Sequence, residues 1–252
     1  MHPAPIDPET VKAQEVDVWL ITCDSANQID SSAELLSPEE RERAARFHRE
    51  LDRNRFRVTH TATRMILAQY LNVEPRELRF VAQAGGKPEF DSPFRSTGIQ
   101  FNLSHSSELA VLAVAREATV GVDVEWIDPD LRIGEVAERF FSAAEVSVLN
   151  ALPAEERVEA FFSCWTRKEA YIKALGEGLS VPLDSFEVAF GSRRAAALVA
   201  VRSNPAELSR WSMYDLRVPE GYKGALVVEG TARRIRQFRW PSKRAVHRDR
   251  HI

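Results

Sequence analysis

Apolar positions along the chain follow two spacings. Val16-Asp17-Val18-Trp19-Leu20-Ile21 is dense in β-branched and large apolar side chains, the pattern of a strand. From Ser37 the spacing turns helical and runs to about Leu71. Ser37-Pro38-Glu39-Glu40 opens this region as a capping box, with proline at the first helical position, where no amide proton is needed. The region is longer than a typical helix, so a break inside it is expected. Gly85-Gly86-Lys87-Pro88 marks a turn. Strand patterns follow at 99–103, 109–115 and 119–125, and their short connections favour antiparallel pairing among them. Helical spacing returns at about 132–150 and 155–175, and the chain then reads as β at 186–190, 196–201, 213–218 and 225–229.

This order predicts an α+β protein of two halves, 1–117 and 118–232, each with helices beside an antiparallel sheet. A second capping box, Ser142-Ala143-Ala144-Glu145, follows Arg139-Phe140-Phe141 and echoes the first. From Arg233 the chain holds eight Lys or Arg and one acid, Asp249, which reads as a basic, solvated tail over 233–252; a docking segment for an acidic partner is the alternative.

Composition narrows the class. The 252 residues are 44% apolar and 28% charged, ordinary for a globular protein with a proper core. A formal net charge of −3 gives no reason to expect a nucleic-acid or membrane partner. No apolar run approaches the length of a membrane span, and the first residues lack the pattern of a signal peptide. Cys23 and Cys164 stand far apart without metal-type spacing, as in a reducing cytosol, so a cytoplasmic protein is expected.

Three segments carry candidate chemistry. In Gly121-Val122-Asp123-Val124-Glu125, strand alternation puts both acids on one face, where they repel unless a cation lies between them. Magnesium suits such a pair, taking one or two carboxylates plus substrate phosphates; a solvated polar strand face is the plainer reading. In Trp165-Thr166-Arg167-Lys168-Glu169-Ala170-Tyr171-Ile172-Lys173, helical spacing puts Phe161, Cys164, Trp165, Ile172 and Leu175 on one stripe with Lys168 in its middle. A cation there must snorkel or meet an anion. Glu169 and Lys173, four apart, could form an ordinary helix ion pair. In Phe101-Asn102-Leu103-Ser104-His105-Ser106, a strand leads into a polar turn whose histidine and serines can donate to phosphate, although a surface turn histidine is the plainer alternative. A serine hydrolase is disfavoured, because no G-x-S-x-G elbow is present, and Gly85-Gly86-Lys87 does not complete a P-loop.

Together these segments resemble the 4'-phosphopantetheinyl transferase superfamily, in its two-half type that activates nonribosomal peptide and polyketide synthetases. The resemblance is carried by Gly85-Gly86-Lys87-Pro88, Asn102-Leu103-Ser104-His105-Ser106, Gly121-Val122-Asp123-Val124-Glu125 and Trp165 to Lys173. Arg139-Phe140-Phe141-Ser142 and the stretch from Gly178 to Phe186 support it. It implies two similar α+β halves related by a pseudo-twofold axis, in one monomeric chain with the active site between them. It further implies magnesium on Asp123, Glu125 and Glu169, with Lys168 and Lys173 beside the phosphates of coenzyme A. Lys87, Ser104 and His105 would hold the nucleotide's phosphates, assisted by Arg43, Arg55 and Arg64. The implied reaction is attack by a serine of an apo acyl or peptidyl carrier protein on coenzyme A, with Glu169 and Lys173 as the catalytic pair. Two residues depart from the family pattern: Glu40 and Trp126 stand where basic residues are frequent. A metal-dependent phosphohydrolase and a non-catalytic carrier-binding module remain the competing readings.

Overall fold

The computed structural model describes residues 11–240 apart from 13, 24–31, 84, 192–193 and 232. Its elements run β1 (Glu15–Thr22), α1 (Ser32–Leu35), α2 (Pro38–Ala45), α3 (Glu50–Leu71), β2 (Phe80–Ala82), β3 (Pro88–Phe90), β4 (Ile99–Ser106) and β5 (Leu109–Arg116). The chain continues with β6 (Val120–Trp126), α4 (Ile133–Phe140), α5 (Ala143–Ala151), α6 (Ala154–Leu175), β7 (Phe186–Val188) and β8 (Leu198–Val201). It closes with α7 (Glu207–Arg210), β9 (Trp211–Asp215), β10 (Tyr222–Glu229) and β11 (Arg234–Arg239).

Both capping boxes form. Ser37 and Glu40 exchange side-chain and backbone bonds at the start of α2, and Ser142 with Glu145 do the same at α5. The break expected in the first helical region falls between Ala45 and Glu50. Asn72 ends α3, and Gly176 ends α6, each in the left-handed conformation that stops a helix.

Four layers result, helix–sheet–sheet–helix. The first sheet has the order β11-β1-β5-β4 and the second β6-β10-β9. Alternation along β1 sends Trp19 and Ile21 toward Ile66 and Leu67 of α3, and Val16, Val18 and Leu20 to the opposite face. That opposite face packs on Val122, Val124, Leu226 and Val228 of the second sheet. The outer face of the second sheet, with Ala225 and Val227, is covered by Phe161, Cys164 and Ile172 of α6. No helix of the described residues is long and apolar enough to cross a membrane.

Two expectations are corrected. The three consecutive strands do not form one antiparallel run: β4 pairs with β5, but β6 leaves that sheet and pairs with β10. The reason is burial. Val120, Val122 and Val124 pack inward against the face of the first sheet instead of extending its edge. The basic tail is also not wholly solvated, because Arg234–Arg239 is a strand parallel to β1; residues 241–252 lie outside the described residues. The attachment is ionic as well as backbone. Arg236 donates to both oxygens of the buried Asp17, at 2.7 and 2.8 Å, and Tyr70 donates to Oδ2 at 2.6 Å. Charge that reads as a solvated tail is thus recruited by one buried acid on β1.

Removing one partner of a buried ion pair leaves the other charge stranded, at a cost of about 3–5 kcal/mol. Arg236→Met is therefore expected to lower unfolding stability by about 3 kcal/mol in denaturant titration. A loss below about 1 kcal/mol would mean that β11 is held by its backbone alone.

Candidate active site at the seam of the two sheets

β4 and β6 are edge strands of different sheets, and side chains join them. Asn102, Ser104 and Ser106 alternate along one face of β4. They accept hydrogen bonds from the backbone amides of Val122 (2.8 Å), Val124 (3.4 Å) and Trp126 (3.0 Å), which alternate along β6. The same serines turn their protons to the acids: Ser104 Oγ donates to Asp123 Oδ1 at 2.9 Å, and Ser106 Oγ to Glu125 Oε2 at 2.8 Å. Both carboxylates are thus registered against the other half of the molecule.

α6 completes the site because Gly121 lets it approach β6. A Cβ on Gly121 would sit 2.2 Å from the Ala170 carbonyl oxygen and 2.3 Å from the Ala174 nitrogen. With that contact made, Lys173 Nζ reaches Asp123 Oδ1 at 2.6 Å and Ser104 Oγ at 2.9 Å. Lys173 is accordingly not the helix partner of Glu169 that an i,i+4 spacing allows. Glu169 is left facing Asp123 and Glu125, and the three charges act on one another: burial and this repulsion push the Glu125 and Glu169 carboxyls up. Burial raises the Asp123 carboxyl as well, against the pull of Lys173.

Among the described residues, no three His, Cys, Asp or Glu side chains already stand in metal-holding geometry. The donor set nevertheless fits a hard cation. Asp123 is 2% exposed, and its Oδ2 is buried without a hydrogen-bond partner, an unfavourable state that an additional cation would relieve.

The cationic residues divide into two groups. His105 lies on β4 itself, not in a turn, one residue out of phase with Ser104, and so points to the other side. It lines a cavity of about 260 Å3 with Arg55, Phe56, Thr59, His60 and Cys23. His105 is exposed at the rim of this cavity, and partial desolvation there, with the nearby His60, Lys173 and Arg43, lowers its pKa. Arg43 lies over the Phe56 ring, and Arg55 is 3.6 Å from both Asp52 and Glu108. Lys87 donates to the Val120 carbonyl at 2.8 Å, and burial lowers its pKa to about 8. A Cβ on Gly85, two residues before, would overlap the Gly176 carbonyl at 2.1 Å, so this turn sits directly on the end of α6. A larger cleft of about 780 Å3, lined by Glu34, Arg76, Arg79 and Asp91 among others, includes none of the three acids.

Two residues expected at the coenzyme are elsewhere. Lys168 is fully buried; its ammonium meets Glu145 at 2.7 Å and the carbonyls of Leu183 and Phe186 at 2.8 and 2.7 Å. Arg64, 2% exposed, bonds Glu40 at 2.6 Å and the carbonyls of Pro75 and Leu78. The lysine on an apolar stripe does meet an anion, but the anion is the glutamate of a capping box, not a phosphate. Glu40 likewise faces inward to Arg64 and His60. Sequence reasoning missed Glu145, His60, and the seam roles of Asn102 and Ser106. The alternation Asn-x-Ser-x-Ser on a strand was a visible signal for the seam, since polar residues fill its otherwise inward positions.

A family model described as the 4'-phosphopantetheinyl transferase superfamily matches residues 119–227, and one described as 4'-phosphopantetheinyl transferase, N-terminal, matches 23–117. The chain is 36% identical to 4'-phosphopantetheinyl transferase HetI of Nostoc over 88% of its own length and 90% of that protein's. It is also 36% identical to 4'-phosphopantetheinyl transferase Sfp of Bacillus subtilis, over 61% of this chain and 66% of the other. The holo-[acyl-carrier-protein] synthase of Thermotoga maritima aligns with 45% of this chain and 63% of its own, at 23% identity and a TM-score of 0.36. The chain belongs to the 4'-phosphopantetheinyl transferase superfamily, and its extended similarity is to members of the HetI and Sfp type.

Two outcomes follow from this geometry. Gly121→Ala is expected to cost at least about 1–3 kcal/mol of stability, because the new methyl meets helix backbone that cannot step aside. The second concerns pH. Glu125 and Glu169 have folded-state pKa values raised above those of the unfolded chain, so each destabilises the metal-free fold once ionised, and acidification relieves this. Metal-free Glu125→Gln/Glu169→Gln should therefore melt above the wild type at pH 7–8. The gap should close as pH falls through the carboxylate range; a gap that widens on acidification would refute the assignment.

Proposed function

We propose that this chain moves 4'-phosphopantetheine from coenzyme A to a serine of an apo carrier protein, releasing adenosine 3',5'-bisphosphate. We further propose that it acts as a cytoplasmic monomer whose halves, 1–117 and 118–232, share one cleft. The observation that carries the site assignment is the buried, unpartnered Oδ2 of Asp123, with Glu125 and Glu169 facing it and Lys173 on its other oxygen. Three acids raised by burial, with Glu125 and Glu169 raised further by repulsion from Asp123, beside a lysine suit a diphosphate carried with a divalent cation better than they suit a solvated surface.

In this reading Asp123, Glu125 and Glu169 hold magnesium, which supplies charge neutralisation on the diphosphate when bound. Lys173 lies at the edge of the acids and donates to the oxygens on which negative charge grows as the phosphoryl group transfers. Lys87, His105, Arg43 and Arg55 orient the nucleotide end. His105 is neutral near pH 7 by the direction of its shift, yet its ring N–H still donates, and an arriving phosphate favours its protonation. The carrier's serine oxygen forms a bond to the β-phosphorus, and the bond from that phosphorus to the bridging oxygen breaks. The serine proton passes to Glu169, directly or through water. The hydroxyl of Ser104, buried and bonded to Asp123 and Lys173, serves by keeping both in place.

Incubation with a panel of apo carriers, coenzyme A and magnesium should add one phosphopantetheine mass to a carrier serine, read by intact mass spectrometry, and chelation should abolish it. Free phosphopantetheine with every carrier unmodified would identify a phosphohydrolase instead. Asp123→Asn should remove turnover by at least about a hundredfold while the protein stays folded. His105→Ala should weaken coenzyme A binding about ten- to a hundredfold, the equivalent of one charge-assisted hydrogen bond. Near-normal magnesium-dependent transfer by Asp123→Asn, Glu125→Gln and Glu169→Gln would sink this mechanism.

A further inference from the structure

Lys168 and Glu169 are consecutive on α6, so their side chains leave the helix about 100° apart. Whatever fixes the direction of one fixes the other. Lys168 is held from several directions: by Glu145 Oε2 and the carbonyls of Leu183 and Phe186, with the Phe186 ring 4.4 Å from its ammonium. Glu145 is itself immobilised, since Ser142 N donates to its Oε2 and Val188 N to its Oε1, both at 2.9 Å.

The first half contains the same device. Glu40 of the α2 capping box binds Arg64 on α3. Arg64 donates to two carbonyls from the segment that follows its helix, Pro75 and Leu78, and lies 5.1 Å from the Phe80 ring. Each half therefore has a capping-box glutamate, a buried cation on a 22-residue helix, two backbone carbonyls beyond that helix and phenylalanine packed on the cation, Phe80 on Arg64 and both Phe141 and Phe186 on Lys168. In each, a further polar group lies about one turn or less from the cation: Glu169 beside Lys168, and His60 before Arg64, where His60 lines the cavity with His105 and its Nδ1 is 3.3 Å from Glu40.

An apolar side chain in place of Lys168 would fill a core position without the desolvation cost of an ammonium. An ionic pin does what an apolar contact does not: it specifies one rotation of the helix about its own axis. We propose that Glu145 and Lys168 are positioning residues for the reaction, pinning α6 so that Glu169 and Lys173 face Asp123. The inference rests on Glu169 belonging to the active site, as proposed above.

The double variant E145Q/K168M removes both charges at nearly constant volume, an exchange that often leaves stability little changed. It is expected to melt within a few degrees of wild type. Coenzyme A affinity without magnesium, by calorimetry, should stay within about threefold, because Lys87, His105 and Arg55 belong to the other half. Magnesium binding in the presence of coenzyme A should weaken by about tenfold or more, the scale found when residues that orient metal ligands are removed. In steady state kcat should fall and KM for coenzyme A should not move. Glu145→Asp keeps the charge but shortens its reach, and should fall between the two. Folded variants with magnesium affinity and kcat within twofold of wild type would overturn the proposal. If the double variant does not fold, a folded Glu145→Asp with wild-type magnesium affinity overturns it alone. Glu169→Gln in parallel separates the two failures: if that variant transfers normally, the site assignment has failed and the pin falls with it.

Discussion

Everything at this site depends on one contact, the side-chain ladder between the edge strands β4 and β6. Two sheets stacked face to face through valine and alanine are free to slide, since apolar contact is not directional. Asn102, Ser104 and Ser106 remove that freedom by accepting from three alternate amides of β6. They substitute for the neighbour strand that β6 lacks on that edge, and so satisfy donors that burial would otherwise strand. Because two of the three are serines, the same oxygens also donate to Asp123 and Glu125. Register between the halves and orientation of the acids are therefore set by the same atoms.

The acids are held in an unfavourable arrangement, and the fold tolerates it by close packing around them. Gly121 brings the backbone of α6 against β6, and Gly85 brings a turn of the first half against the end of the same helix. Lys173 neutralises one oxygen of Asp123 and leaves the other without a partner. Net negative charge and an unpartnered buried oxygen are features that a hard cation would relieve, and the proposed function rests on them.

Outside the cleft, the buried cations have structural partners. Lys168 and Arg64 are each closed in by a glutamate and two carbonyls, Arg167 forks onto Asp215, and the half-buried Arg236 forks onto the buried Asp17. Such pairs contribute less net stability than their short distances suggest, because desolvation offsets most of the attraction. What they add is a defined geometry, and the recurrence of one pattern in both halves is the clearest internal likeness between them.

Element types and their approximate bounds were legible from local pattern. Both capping boxes, the interruption before Glu50, and the strands between Ile99 and Glu229 depend on residues near one another in the chain, whereas the strand at Arg234–Arg239 was not legible. The candidate acids were legible for the same reason, since Asp123 and Glu125 share a strand face whatever that strand packs against. Partner choice was not legible. Whether β6 extends the first sheet or begins another, whether Lys168 meets a phosphate or Glu145, and whether Arg236 is solvated or seated on Asp17 all turn on contacts between distant segments. A lysine on an apolar stripe declares that it needs an anion; it does not declare which. Only the tertiary structure decided that, because desolvation, which sets the cost of leaving a charge unpaired, is known only once the surrounding layers have closed.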